Sequence, residues 1–224
     1  KALEKAITRN TCAFLVEPIQ GEAGIKIPPK GFLKKAAALC KKTNVLLICD
    51  EIQSGLGRTG KMFCYEHDGV KPDGVIVGKA LSGGFYPVSA FLSSAEVMDV
   101  FKPGDHGSTF GGNPLGMAVA REALDILQDE KLVQKSAQNG PWFMAKLNGL
   151  KSKSIKTVRG RGLWIGLVLK TKARPYCEAL MAEGLLCKET HENVIRFAPP
   201  LTISRKELNW AFKRVEKVFK QLDG

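Results

Sequence analysis

The sequence lacks several features that would define its surroundings. It has no uninterrupted apolar run of about eighteen residues, so it predicts no membrane-spanning helix. It shows no signal-peptide pattern, its six cysteines form no C-x-x-C pair, and its three histidines lie far apart. No zinc site is therefore predicted. Several of the cysteines lie in apolar runs, which favours a reducing, intracellular compartment.

The charge is strongly of one sign. The chain of 224 residues carries 34 basic and 22 acidic side chains, a formal net charge of +12, with most of the excess in its C-terminal half. Such an excess can attract nucleic acid. However, the lysines are scattered over predicted helix faces and are not interleaved with aromatic residues, so a solvated surface is favoured and no nucleic-acid partner is expected.

The first 130 residues alternate between strand and helix patterns. A short β-rich run at 11–18 precedes three apolar runs typical of buried parallel strands, at 44–51, 73–79 and 86–92. Helices are predicted between and after them, at 31–42, 94–101 and 113–132, the last with Asn113 as N-cap and Pro114 at its first position.

The pattern changes after about residue 150. Two strand pieces split by a glycine turn are predicted at 156–170, then a helix at 175–184 and two short strands. A final helix begins at Ser204, with Glu207 completing a capping box. The fold class is therefore α/β with a mostly parallel sheet, followed by a smaller α+β part. We place the domains at residues 1–135 and 136–224.

Two nucleotide-binding motifs are suggested and then fail. GLGRTG (55–60) matches G-x-G-x-x-G, but the segment DEIQS separates it from the predicted strand, and no long amphipathic helix follows it. GVIVGKA (74–80) resembles a phosphate loop, but its glycines are too close and an alanine replaces the magnesium-binding Ser/Thr. Neither a nicotinamide enzyme nor a nucleotide triphosphatase is favoured.

Polar side chains follow the predicted parallel strands. Glu17, Asp50 with Gln53, and Lys79 lie at or just beyond strand ends, where open parallel sheets bind their ligands. If these strands are neighbours, an acid and a lysine face one crevice. Pyridoxal 5'-phosphate (PLP) needs that pair, a lysine for its aldehyde and a carboxylate for its ring nitrogen. Taken singly, each residue is as well explained as a cap or a solvated side chain.

The local sequence around these residues resembles the class III PLP-dependent aminotransferases. The ornithine branch is the most similar, through VGKALSGG followed by YPVSA and through RFAPPL. The matching stretches occur in family order over nearly the whole chain: LVEPIQGEAG (15–24), CDEIQSGLGRTG (49–60), KPDGVIVGKALSGG (71–84), HGSTFGGNPLG (106–116), VRGRGL (158–163) and VIRFAPPL (194–201).

The resemblance implies roles for individual residues. Lys79 would bond covalently to the cofactor aldehyde and move protons, and we expect it to be shielded from solvent. Asp50 would pair with the pyridinium nitrogen, and Gln53 would hydrogen-bond near the phenolic oxygen. Ser108 and Thr109 would reach the phosphate of a neighbouring subunit's cofactor, which implies a homodimer or a larger assembly.

The resemblance also implies a substrate gate. Glu22 and Arg196 match a pair in which the carboxylate holds the arginine or frees it for the carboxylate of 2-oxoglutarate. Without the motif context, an ordinary ion pair between domains explains both residues. Glu17 matches a supporting acid, and a purely structural role explains it equally well.

The resulting hypothesis is an ornithine:2-oxo-acid aminotransferase with ornithine and 2-oxoglutarate as substrates, in the cytoplasm or the mitochondrial matrix. The alternatives are another class III enzyme, acting on acetylornithine or 4-aminobutyrate, and an inactive fragment that serves as a dimer partner. The resemblance covers only the C-terminal part of such enzymes, so we expect a truncated chain. The phosphate-binding glycine turn, the aromatic ring over the cofactor and the α-carboxylate arginine would lie upstream.

Overall fold

The computed structural model describes residues 1–223, which form two compact units. The first unit contains Lys1–Pro18, Pro28–Leu56 and Phe63–Glu130. The second contains Ile19–Ile27, Gly57–Met62 and the chain from Lys131 onward. Two short segments of the N-terminal half therefore belong to the second unit.

The first unit is an α/β structure around a four-stranded sheet with the strand order β1-β2-β3-β4. Its strands are β1 (Ala13–Val16), β2 (Leu46–Asp50), β3 (Gly74–Val77) and β4 (Ala90–Ser93). Its helices are α1 (Ala2–Ala6), α2 (Phe32–Lys42), α3 (Ala95–Met98) and α4 (Pro114–Asp129), with 3₁₀ turns at Cys64–Asp68 and Lys79–Ser82.

The sheet is mostly parallel, as the apolar runs predicted. β1 pairs with β2, and β2 with β3, in parallel. The prediction of a further parallel strand at 86–92 was wrong, because β4 returns antiparallel to β3. The connection between these two strands, residues 78–89, contains a 3₁₀ turn and loop and lacks the crossover helix that usually joins parallel strands.

Helix α2 covers one face of this sheet. Leu33 and Cys40 on the helix pack in one buried cluster with Leu47 and Cys49 of β2. Helix α4 begins as predicted, because the Asn113 side chain accepts a hydrogen bond from the Gly116 amide at 2.8 Å. It ends at Asp129, however, and not at residue 132, since Lys131 takes a left-handed conformation at φ 53°.

The second unit is an α+β structure around an antiparallel sheet with the order β5-β6-β8-β7. Its strands are β5 (Ile155–Arg161), β6 (Trp164–Leu169), β7 (Lys188–Thr190) and β8 (Val194–Phe197). Its helices are α5 (Leu132–Asn148), α6 (Arg174–Ala182) and α7 (Arg205–Asp223).

Helices α5, α6 and α7 pack with β6 and β8 around one buried core. Strand β6 is buried along its whole length, which explains its continuous apolar sequence. The capping box of α7 forms as predicted: Ser204 N donates to the Glu207 carboxylate at 2.7 Å, and Glu207 N donates to Ser204 Oγ at 3.2 Å.

The glycine turn between β5 and β6 is a point of close main-chain approach. Gly162 has φ 53°, and a Cβ there would lie 2.6 Å from Arg58 O and 2.6 Å from Ser136 Oγ. Gly140 on α5 packs directly on the Gly162 main chain. Both positions therefore exclude a side chain, and together they hold α5 and the 57–62 segment against this turn.

We expect Gly162→Ala to lower the free energy of unfolding by about 3 kcal/mol or more, because it adds steric overlap to the strain of a positive φ. Gly184→Ala is the matched control. Gly184 has φ 82°, but the atom nearest its Cβ position is 3.8 Å away, so only strain of about 1 kcal/mol is expected. Chemical denaturation of both variants measures the difference, and equal losses would contradict the packing explanation.

Candidate functional site

The carboxyl ends of three neighbouring parallel strands bring predicted site residues to one edge of the first sheet. Glu17 directly follows β1, Asp50 ends β2, and Lys79 follows β3 after one intervening residue. The register pairs Asp50 with Ile76, three residues before Lys79. The predicted acid and lysine therefore occupy adjacent strand ends, as the pattern of apolar runs implied.

Asp50 is half-buried and held by its own turn. Its Oδ1 atom accepts a hydrogen bond from the Ile52 amide at 2.9 Å. This bond fixes the carboxylate at the start of the turn that carries Gln53, which is also half-buried. Asp50 and Gln53 thus share one short, ordered segment at the sheet edge.

Glu51 anchors that segment, although sequence reasoning assigned it no role. The side chain is buried, with 1% of its surface exposed. Its carboxylate accepts hydrogen bonds from Ser54 Oγ at 2.6 Å, from Cys64 N at 3.0 Å and from Tyr65 N at 2.8 Å. Burial raises the pKa of Glu51, and the three hydrogen bonds oppose that rise. The only signal in the sequence was an acid directly after Asp50.

Lys79 occupies an unusual backbone position. It has φ 46°, a left-handed conformation that few residues other than glycine adopt, and it opens the 3₁₀ turn Lys79–Ser82. Our expectation of a shielded lysine was wrong for this chain, because Lys79 is exposed. It lies beyond the last residue of β3 at the sheet edge, where the first unit leaves it open to solvent.

Ser108 and Thr109 lie in an exposed loop between α3 and α4. The Ser108 hydroxyl accepts a hydrogen bond from the Gly111 amide at 2.9 Å, which forms a tight turn at this point. The loop belongs to the first unit, and its polar side chains are open to solvent.

The second unit brings Glu22 and Arg196 together. Arg196 Nη1 lies 2.9 Å from Glu22 Oε1, with 22% of the arginine side chain and 64% of the glutamate side chain exposed. The two residues are far apart in sequence, yet both belong to this unit, so the pair is not an ion pair between the two units. Because the glutamate side chain is largely exposed, this ion pair contributes little to stability.

Arg58 is a second cation near Arg196 that sequence reasoning did not identify. Its Nη1 atom donates to Leu163 O at 3.0 Å and to Pro199 O at 2.6 Å. Burial, and then the charge of Arg196, lower the pKa of Arg58 to about 10. Arg58 lies in GLGRTG, so this motif supplies a partly buried guanidinium whose hydrogen bonds connect residues 57–62 to Leu163 and Pro199 of the second unit.

Two searches of residues 1–223 complete the description. No helix in this range is both long and apolar enough to cross a membrane. In the same residues, no three side chains of His, Cys, Asp or Glu lie close enough together to hold a metal ion.

Comparison with known proteins identifies the family. The family model for aminotransferase class-III matches residues 1–219, so the chain belongs to that family. An ornithine aminotransferase from Geobacillus sp. is 60% identical over 219 residues, covering 98% of this chain and 55% of the relative. The chain thus spans little more than half the length of such relatives.

Solved structures agree on the fold. The ornithine delta-aminotransferase of Plasmodium falciparum superposes with a TM-score of 0.95 at 44% identity, covering 99% of this chain and 60% of that one. The acetylornithine aminotransferase of Elizabethkingia anophelis has the same TM-score at 50% identity, covering 98% of this chain and 60% of that one. The chain therefore has the fold of part of a fold-type-I aminotransferase.

The buried Glu51 carboxylate gives a testable prediction. In Glu51→Gln, an amide NH₂ must face one of the two backbone N–H donors, so we expect a loss of about 1–3 kcal/mol in the free energy of unfolding at pH 7. Because the pKa of Glu51 is raised, the folded state binds a proton more readily than the unfolded state as the pH falls, and the wild type gains stability that the non-titrating glutamine cannot gain. The penalty should therefore grow in acid.

Denaturation at several pH values measures this penalty. Ser54→Ala is the control, since it removes one donor and leaves both backbone contacts to the carboxylate intact. A Glu51→Gln variant as stable as the wild type at pH 7 would contradict the anchoring role.

Proposed function

We propose that this chain is the C-terminal part of an ornithine:2-oxo-acid aminotransferase that uses PLP. The observation that carries the proposal is the placement of Asp50 and Lys79 at adjacent carboxyl ends of parallel strands, in a chain of the class-III family. The division into a partial cofactor-binding domain (1–135) and a small C-terminal domain (136–224) belongs to the same proposal. Its location in the cytoplasm or the mitochondrial matrix remains a prediction.

The side chains at the sheet edge fit this cofactor. Asp50 offers a half-buried carboxylate whose orientation is fixed through Oδ1, and Lys79 offers a primary amine that is open to solvent. When bound, PLP supplies an electron sink for the electrons released at the substrate carbon. Asp50 would hold the ring nitrogen protonated, which requires the carboxylate to stay ionised.

Lys79 would serve as nucleophile and then as proton carrier. Its amine must reach the cofactor aldehyde and later move a proton between neighbouring carbon atoms. Because Lys79 lies on a short 3₁₀ turn beyond the strand end, its main chain is fixed while its side-chain amine is free to move. Gln53, the residue directly after Ile52, whose amide holds Asp50, would orient the ring through a hydrogen bond to its phenolic oxygen.

Glu22 and Arg196 would select between the two substrates. With the pair closed, the arginine charge is neutralised and a monocarboxylate amino donor is not drawn to it. With the pair open, the guanidinium can bind a carboxylate of 2-oxoglutarate through two parallel hydrogen bonds. The pair therefore suits an enzyme that binds ornithine and 2-oxoglutarate in turn.

Acetylornithine is the second candidate donor. It is favoured by the Elizabethkingia structure, which is 50% identical, whereas the Geobacillus relative supports ornithine at 60%. Activity would need a homodimer or a larger assembly, in which Ser108 and Thr109 reach the partner's cofactor phosphate. An inactive fragment that acts only as a dimer partner is the remaining alternative.

Covalent trapping tests the lysine. We expect PLP, added to the chain and then reduced with borohydride, to label the peptide that contains Lys79. Lys79→Ala should lose at least about tenfold of the label, because Lys79 lies at the strand end adjacent to that of Asp50. Lys71→Ala is the control, since Lys71 is exposed but precedes β3. Unchanged covalent labelling of Lys79→Ala would show that the lysine is wrongly assigned.

Turnover assays test the donor and the truncation together. We expect the chain of 224 residues to show little or no transamination, and a form extended to the length of its relatives to prefer ornithine over acetylornithine and 4-aminobutyrate. Strong ornithine turnover by the chain alone would contradict the proposal that part of the site lies outside it. A preference for acetylornithine would assign the second candidate.

A further inference from the structure

The segment Ile19–Ile27 carries Glu22 at the tip of a narrow loop. Gln20 and Lys26 form an antiparallel bridge, with N···O distances of 3.0 and 2.9 Å in the two directions. Between them the chain turns tightly, and Gly24 and Ile25 both donate to Gly21 O. Glu22 therefore lies within this turn and two residues from Gln20 of the bridge, so the main chain at Glu22 is held on both sides.

Two side chains from the second sheet hold this loop by its main chain. Thr190 Oγ1 donates to the carbonyl oxygen of Glu22 at 2.6 Å. Arg159 donates to Gly24 O from Nε at 3.0 Å and from Nη2 at 2.7 Å. Thr190 is only 8% exposed, so its hydrogen bond is shielded from competing water.

The sheet register explains how these contacts arise together. Arg159 pairs with Gly166, Gly166 with Arg196, and Arg196 with Lys188, so the four residues form one row across the sheet. Thr190 lies two residues from Lys188 and shares its face. Gly166 contributes no side chain to the row, and a Cβ there would lie 3.5 Å from Gly24 O. The loop therefore packs over the glycine, between two arginines.

The contacts differ in kind. The Glu22–Arg196 contact involves a glutamate side chain that is 64% exposed. The contacts through Thr190 and Arg159 involve main-chain carbonyl oxygens and a half-buried guanidinium. A rotation of the Glu22 side chain breaks the ion pair with Arg196 and leaves the contacts of its main chain intact. A movement of the whole loop must break all three hydrogen bonds from Thr190 and Arg159 to the main-chain oxygens.

We propose that Thr190 and Arg159 are positioning residues that fix the main chain of Glu22 opposite Arg196. The Glu22–Arg196 pair then opens and closes by rotation of one side chain over a stationary loop. The use of this motion as a substrate gate rests on the function proposed above. The positioning itself does not, since it concerns contacts within the second unit alone.

A double-mutant cycle on the chain of 224 residues, without cofactor or substrate, tests the positioning. Glu22→Gln, Arg196→Met and the double variant are compared by the midpoint of thermal unfolding, and the departure from additivity measures the coupling of the pair. The same cycle is repeated in Thr190→Val, which removes the hydroxyl donor at nearly constant shape, and in Thr190→Ser, which keeps the donor.

We expect the coupling to be lost in Thr190→Val and restored in Thr190→Ser. Arg159→Lys, which retains one donor in place of two, should reduce the coupling without abolishing it. A purely structural role for Thr190 would lower all midpoints equally and leave the coupling unchanged, and that result would overturn the proposal. The cycle needs neither cofactor nor substrate, so failure of the proposed transamination appears separately, as missing covalent label at Lys79.

Discussion

The parallel pairing of β1, β2 and β3 is the constraint on which the first unit depends. The carboxyl ends of parallel strands lie at one edge of the sheet. Residues that follow three different strands are therefore neighbours in space although they are far apart in sequence. The register of β2 against β3 then decides which residues meet. A shift by one residue would turn every side chain to the opposite face and move Asp50 out of line with Lys79.

Charged side chains near the two candidate sites fall into two groups that differ in their exposure to solvent. Glu51 is buried and Arg58 is partly buried, and both are held by hydrogen bonds to fixed main-chain groups, which makes them rigid supports. Lys79 and Glu22 remain exposed. The proposed reaction needs this division, because a group that binds, releases and moves protons cannot also hold the fold in place.

The features predicted well from sequence depend on short-range chemistry. The Asn113 cap, the box of Ser204 and Glu207 and the Gly162 turn each involve a few neighbouring residues, so the local sequence contains the whole cause. The strand ends at Asp50 and Lys79 were found because continuous apolar runs mark buried parallel strands.

The features that were missed depend on partners distant in sequence. Helix α5 contains Gly140 and Pro141, which weaken a helical pattern, and packing on the Gly162 turn and on the core compensates for both. Lys131 separates helices α4 and α5 through its left-handed conformation, although no glycine or proline there indicates a break. Arg58, Thr190 and Arg159 act through carbonyl groups far along the chain, and nothing near them in sequence indicates those acceptors.

The left-handed backbone of Lys79 has a consequence for how this protein could change over time. A lysine at φ 46° has a higher conformational free energy than glycine or asparagine would have there. The native residue therefore lowers the stability of the fold at the position proposed for catalysis. Selection for stability alone would remove this lysine. Its retention in a lineage would therefore report continued demand for the chemistry, and its replacement by glycine would mark a descendant that keeps the fold after giving up the reaction.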